Sequence, residues 1–142
     1  MIDDAIRTRL LAVAGVSDLV GTGSAARVWP MKLPQHPPPK YPAITYQLVS
    51  GAPDYDLDSA SGLAHVRIQI DCWGRDATAA TGGYRKARAL AEAVRAALSG
   101  YSGTVSSVVI QQVTLLNRRV LHEDEAELYR ESLDFEVWYE ES

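Results

Sequence analysis

The run AHVRIQIDCW, Ala64 to Trp73, alternates apolar and polar residues without a break. A period of two is that of a β-strand and rules out a helix, whose faces repeat every 3.6 residues. Ala64, Val66, Ile68, Ile70 and Cys72 fall on one face; His65, Arg67, Gln69, Asp71 and Trp73 fall on the other. Such a strand needs neighbours for its backbone and cover for its apolar row, so the chain is expected to fold around a sheet with one buried face. Other segments fit the same frame. In AITYQLVS, Ile44, Tyr46 and Leu48 alternate with Thr45 and Gln47. In LYRESLDFEVWY, Leu133, Phe135, Val137 and Tyr139 oppose Arg130, Ser132, Asp134, Glu136 and Trp138. VSSVVIQQVTLLNRR reads as one long β-branched strand, and a brief apolar segment lies around Val28 and Trp29.

Helical spacing appears twice. Ile6, Leu10 and Val13 mark an amphipathic helix over Ile2 to Ala14, with Asp3 and Asp4 in the first turn and Gly15 as its stop; Val16 to Gly21 adds one short turn. Asp76 to Leu98 forms the second helix, with Tyr84, Ala87, Ala91, Val94 and Leu98 as its apolar stripe and Gly100 beyond its end. Gly82 and Gly83 each weaken the first half by roughly 1 kcal/mol relative to alanine, which places the firm start near Tyr84. The order of elements is helix, three strands, helix, two strands. It predicts an α+β fold with a mainly antiparallel sheet of about five strands and two main helices packed on one face. At 142 residues the chain suits a single domain over 1–142.

Two segments interrupt the regular pattern. Pro30 to Pro42 holds six of the seven prolines and predicts an extended loop, either a stiff connection or an arm that grips a neighbour. GAPDYDLDSASG is rich in turn residues and is expected to end its strand at Gly51. The formal charge of -4 argues against a protein whose affinity comes from neutralising phosphates. One cysteine cannot form an internal disulfide or a zinc site built on several thiolates. No apolar run approaches the roughly 20 residues of a membrane span, and the acidic start differs from the basic start of a signal peptide, so the chain reads as unexported and without membrane association.

No reactive constellation emerges. Cys72 continues an aliphatic row, where a thiol fills space, whereas a nucleophile needs solvent and an electropositive setting or a base. His65 and Asp71 share a face but lie about 20 Å apart at ~3.3 Å per residue, too far to pair directly. His36, His65 and His122 lack metal-ligand spacing, and HEDEAE, His122 to Glu127, reads as a solvated acidic turn. GTGS at Gly21 has neither the lysine nor the following helix of a phosphate loop. No cofactor or metal site is expected. Arg85, Arg88 and Arg95 form a stripe that is able to meet DNA phosphates; Glu92 stands at i,i+4 and i,i+3 to Arg88 and Arg95, which reads as an ordinary balanced surface. Trp73 and Trp138, both on the polar side of their strands, point to a second buried surface, covered by a helix or by another subunit.

Taken in order, the opening helix ending DLVG, then VWP with LP soon after, YPAITYQLVSG, DYDLDSASGLAHVRIQIDCWG, ARALAEAVRAALSGYSG and LYRESLDFEVWY resemble the tail-completion proteins of long-tailed bacteriophages, which are related to tail terminators and tail-to-head joining proteins. The resemblance spans nearly the whole chain, and the Gly82-Gly83 pair departs from it. It implies a structural, non-enzymatic subunit of a hexameric ring at the head-proximal end of the tail tube, assembled in the bacterial host cytoplasm. The implied partners are further copies of the chain, the tail tube protein and the head-completion or connector (stopper) protein. DNA passes through such a ring without sequence-specific binding, and an acidic lining would let it slide. The expected contacts are Pro34, His36 and Tyr41 of the proline loop, Asp54, Tyr55, Asp56, Leu57 and Asp58 of the acidic loop, and Trp73 and Trp138. Two other readings stay open: a small enzyme using Cys72 with a histidine brought near by folding, and a DNA-binding accessory module using Arg85, Arg88 and Arg95.

Overall fold

A computed structural model describes residues 2–34, 40–55, 60–75, 82–123 and 128–140; the side chains at 52–55, 60–62 and 123 also lie outside the description. Two helices open the chain, α1 (Ile2–Ala12) and α2 (Ala14–Val20), separated at Val13, whose extended backbone caps α2. After a short 3-10 turn come β1 (Val28–Pro30), β2 (Ala43–Tyr55), β3 (Ala60–Arg75), α3 (Gly82–Leu98), β4 (Gly103–Val105), β5 (Val108–Glu123) and β6 (Leu128–Glu140). The strands form one six-stranded sheet in the order β1-β2-β3-β6-β5-β4, antiparallel throughout except for β1 beside β2. The architecture is α+β and mainly antiparallel, as expected.

The alternation predicted for β3 and β6 holds, and on β2 Ile44 and Tyr46 are buried, but Leu48, expected on the buried face, is 48% exposed. In register across β2, β3 and β6, Ile44, Tyr46 and Leu48 meet Cys72, Ile70 and Ile68, which in turn meet Glu131, Leu133 and Phe135. This row faces the three helices, and Ile6, Leu10, Val16, Leu90, Val94 and Leu98 close the core over it. The apolar stripe expected on α3 is buried at Ala87, Ala91, Val94 and Leu98, while Tyr84 is exposed and packs edge-on against Tyr129. Arg9 ties α1 to the end of α3, donating to the Ala97 carbonyl at 3.1 Å and stacking over Tyr101 at 4.0 Å.

Four expectations are corrected. The sheet has six strands rather than about five, because the segment read as one long strand is a hairpin: Ser106 and Ser107, with φ of 50 and 67, turn the chain between β4 and β5. Two positive φ values in succession match the twist of a two-residue hairpin loop. Among the described residues there are three α-helices rather than two main ones, since the break at Val13 makes α2 an element of its own. Strand β2 does not stop at Gly51 but runs to Tyr55, pairing Pro53 with Ala64. Proline is tolerated there because, among the described residues, β2 has a neighbour on one side only beyond Tyr46. Finally, Gly82 and Gly83 are already helical in α3, ahead of the firm start expected near Tyr84; 76–81 of the expected helix lie outside the described residues.

That last correction has a steric cause. Gly74 on β3 and Gly83 on α3 are both buried where the helix crosses the strand. A Cβ at Gly74 would fall on the Gly83 carbonyl oxygen, deep inside van der Waals contact, and 2.9 Å from the Ala87 nitrogen. The two glycines let backbone rest on backbone, a packing gain that offsets their poor helix propensity.

Candidate functional site

The face of the sheet turned away from the helices is built by the other half of the alternation. His65, Arg67, Gln69, Asp71 and Trp73 of β3 stand beside Trp138, Glu136, Asp134, Ser132 and Arg130 of β6. Thr45 and Gln47 extend the face on β2, opposite Asp71 and Gln69. Among the described residues no helix covers it; α1, α2 and α3 all contribute to the core on the other side. Of the two covers anticipated for the tryptophans, a helix is thus not the one present.

Trp73 and Trp138 are nonetheless half-buried, because their own neighbours hold them down. The Trp73 ring nitrogen donates to Thr45 Oγ1 at 2.9 Å, and Arg130 lies 5.1 Å from the Trp73 ring. Trp138 donates to Glu136 Oε1 at 3.0 Å and stacks on His65 with centroids 4.5 Å apart. Between them runs a polar network. Asp71 accepts from Ser132 at 2.5 Å and from Gln69 at 3.1 Å; Arg67 bonds Asp134 at 2.8 Å. Thr45, Asp71, Ser132 and Asp134 are buried on a face that has no covering layer. His65 and Asp71 do not pair: the nearest carboxylate to His65 is Glu136, at 3.9 Å.

Cys72 lies on the core side and is fully buried. Burial pushes its thiol well above the usual value, with Glu131 and Asp71 adding to the shift and Arg118 opposing it. A thiol held protonated away from solvent is not a nucleophile. The arginine stripe is only partly free. Arg88 does not pair with Glu92 as the helical spacing suggested, but reaches across to Glu131 on β6 at 2.6 Å. Glu92 bonds Arg95 at 3.1 Å and Arg118 of β5 at 2.8 Å, and Arg118 also holds Glu131. Arg85 is exposed. This cluster was missed in the sequence. The signal was the parity of β6, which puts Glu131 in the inward row with Leu133 and so demands a buried counter-charge.

The remaining expected contacts divide. Pro34 follows β1, and Tyr41 precedes β2. Asp54 and Tyr55 belong to the backbone of β2, with side chains outside the description; His36, Asp56, Leu57 and Asp58 lie outside the described residues altogether. His122 is a β5 residue stacked on Tyr129 at 4.2 Å, and the rest of the acidic turn through Glu127 lies largely outside the description. Among the described residues no group of three or more histidine, cysteine or carboxylate side chains is arranged to hold a metal. Nor, among these residues, is any helix long and apolar enough to cross a membrane.

Comparison with known proteins gives this surface its context. No curated protein sequence matches the chain. A solved structure described as the virion of a native gene transfer agent (GTA) particle contains a chain of the same fold, with a TM-score of 0.71 at 24% identity, covering 98% of this chain and 94% of that one. The family described as Tail completion protein gp17 matches residues 4–140. The chain therefore belongs to the gp17 tail-completion family and is a structural protein of phage-type tails.

Proposed function

We propose that this chain forms a ring at the head-proximal end of a phage or phage-like tail tube, where it ends tube polymerisation and joins the tail to the head connector. Family membership across residues 4–140 carries this reading. The shared fold with a chain of a gene transfer agent virion supports the setting, a particle in which a subunit meets other tail and head proteins. A ring requires each copy to present two different surfaces that meet head to tail and close by rotation. The chain offers candidates: an outer face carrying Trp73 and Trp138 that no helix covers among the described residues, and the sequence segment Asp54 to Asp58 at and beyond the end of β2. Pro34, His36 and Tyr41 of the proline-rich segment are proposed to reach a neighbouring subunit, as are Tyr55, Asp56 and Leu57. The net charge of -4 suits a passage through which DNA slides without being held. With Arg88 and Arg95 in ion pairs, sequence-independent DNA binding through the α3 stripe is the weaker reading.

The decisive experiment deletes the gene in producing cells and images the lysate. Tails of irregular length, separate from capsids, are expected; tails of normal length attached to capsids would sink the proposal. Native mass spectrometry of the purified protein, alone and with tail-tube protein, should find a closed ring of about six copies in at least one of the two conditions, six being the number the family resemblance suggests.

A further inference from the structure

Helix α3 crosses the inner face of the sheet obliquely and leaves one corner of it bare. Its first turn rests on β3, Gly83 against Gly74, while just past its end the Gly100 nitrogen donates to the Val113 carbonyl of β5 at 2.9 Å. The far part of β5 is thus left without the helix. Val120 stands level with the buried Glu131 and Cys72, in the inward row, yet is 43% exposed. Around it lies a recess with an aromatic wall: Tyr84 of α3 packs edge-on against Tyr129 of β6, and His122 of β5 stacks on the same ring. Its rim is cationic. Arg88 and Arg118 flank Glu131, Arg95 and Arg118 share Glu92, and Arg85 is exposed one turn before Arg88. Four arginines against two glutamates leave this corner positive in a chain whose net charge is -4.

We propose that this recess receives the segment Asp54-Tyr55-Asp56-Leu57-Asp58 of a second copy; this rests on the ring reading above and names where the acidic contacts of one subunit meet the next. Charge complementarity favours it first. The three aspartates are the only charged residues from Gln47 to Ala64. Tyr55 and Leu57 alternate with them, so the segment laid out as a strand in the recess offers carboxylates on one side and apolar groups on the other. The carboxylates suit the arginine rim, and the apolar groups suit Val120 and the Tyr84 and Tyr129 rings. The chain's own acidic turn is the poorer match, because from Glu123 to Glu127 its only apolar side chain is that of Ala126.

Segment and recess lie at opposite ends of the sheet. Strand β3 passes Tyr55 at Ala60 and Tyr129 at Gly74, an interval of about 45 Å at ~3.3 Å per residue. A subunit therefore cannot fill its own recess. The contact joins copies end to end along the strands, not edge to edge, and leaves the ladders of both sheets as they are. Its two surfaces are different, one acidic and one basic, which is what a head-to-tail contact closing into a ring requires.

The test is reciprocal charge exchange with the full chain, expressed in the deletion strain. One variant carries Asp56→Lys and Asp58→Lys; the other carries Arg85→Glu and Val120→Glu, both at exposed positions. Each alone sets like charges against each other at every contact and should fail to restore tails joined to capsids. The two expressed together, alternating around one ring, should restore them, and so should the four changes in one chain. Restoration by either variant alone overturns the proposal; if it is the Asp56→Lys, Asp58→Lys variant, the recess has another occupant, such as the chain's own acidic turn or an acidic segment of a different protein. Failure of both the mixture and the fourfold variant overturns it as well. Joined tails of normal length with no protein supplied would remove the ring reading itself. As a second arm, a chain with Leu57→Cys and Val120→Cys is oxidised in lysates that contain joined tails, with Cys72 left in place because its thiol is buried. A ladder of cross-linked multimers is expected, and neither single variant should give it. Monomers closed on themselves, or no cross-link at all, overturn the placement of the segment while leaving the ring.

Discussion

Gly74→Ala is the sharpest probe of how α3 is seated. The added methyl would meet backbone atoms, the Gly83 carbonyl oxygen and the Ala87 nitrogen, and the latter lies only 2.9 Å from its ideal position. No side chain can rotate out of the way, so the first turns of α3 must lift off β3. Lifting them disturbs Ala87 and Leu90, both buried against the sheet. Overpacking of this kind costs typically 1–3 kcal/mol, and a backbone clash puts the expected value near the upper end, about 3 kcal/mol. For a domain of this length that corresponds to a fall in Tm of about 10 °C. Gly15→Ala is the control: nothing lies within 4 Å of its Cβ position, and alanine in α2 should stabilise by roughly 0.5 kcal/mol. Thermal unfolding followed by circular dichroism reads both. Equal Tm values for the two variants would refute the claim that backbone contact at Gly74 seats the turn of α3 at Gly83.

The buried cluster on the helix side makes further predictions. Arg118→Ala leaves the fully buried Glu131 with Arg88 alone and should cost about 3 kcal/mol in urea unfolding, whereas Glu92→Ala, at an exposed position, should cost much less. Similar losses for the two would count against Glu131 as the anchor. Hydrogen bonds from Arg118 and then Arg95 hold the Glu92 carboxyl below its ordinary value, so its contribution to stability is complete above about pH 4.5 and is lost as the pH falls through the lower folded value. Carboxyl chemical shifts should place its midpoint below that of an ordinary glutamate and move it upward in Arg118→Ala. Cys72 should resist an aromatic disulfide reagent at pH 8 in the folded protein and react at once in denaturant; rapid labelling of the native state would contradict its burial.

How much of this was legible in the sequence follows from what each feature depends on. The inward and outward rows of β3 and β6 were readable because a period of two is local, and register then carries Ile68 to Phe135 and His65 to Trp138 without further choice. The limits of β2 were not, because Pro53 and the turn residues around it end a strand only when both sides are paired, and whether a strand is an edge is a property of the whole sheet. The Gly82-Gly83 pair misled for a similar reason: helix propensity is local, but the contact that favours glycine lies on β3, at Gly74. The β4–β5 hairpin was hidden by its residues, since Ser106 and Ser107 hold the positive φ values that Asn-Gly usually supplies. Of the outer face, the two outward tryptophans were visible in the pattern; the order of the strands, and with it which of them lie at an edge, was not.

The outer face of the sheet makes many of its polar contacts within the subunit. The face is not an open apolar patch: Thr45, Asp71, Ser132 and Asp134 are already buried beneath the long side chains of Arg67, Gln69, Trp73 and Arg130, and most of their hydrogen-bonding capacity is spent within the subunit. A partner laid on that face gains mainly from the tryptophan rims and from cation–π contact with Arg130, interactions with little directional demand.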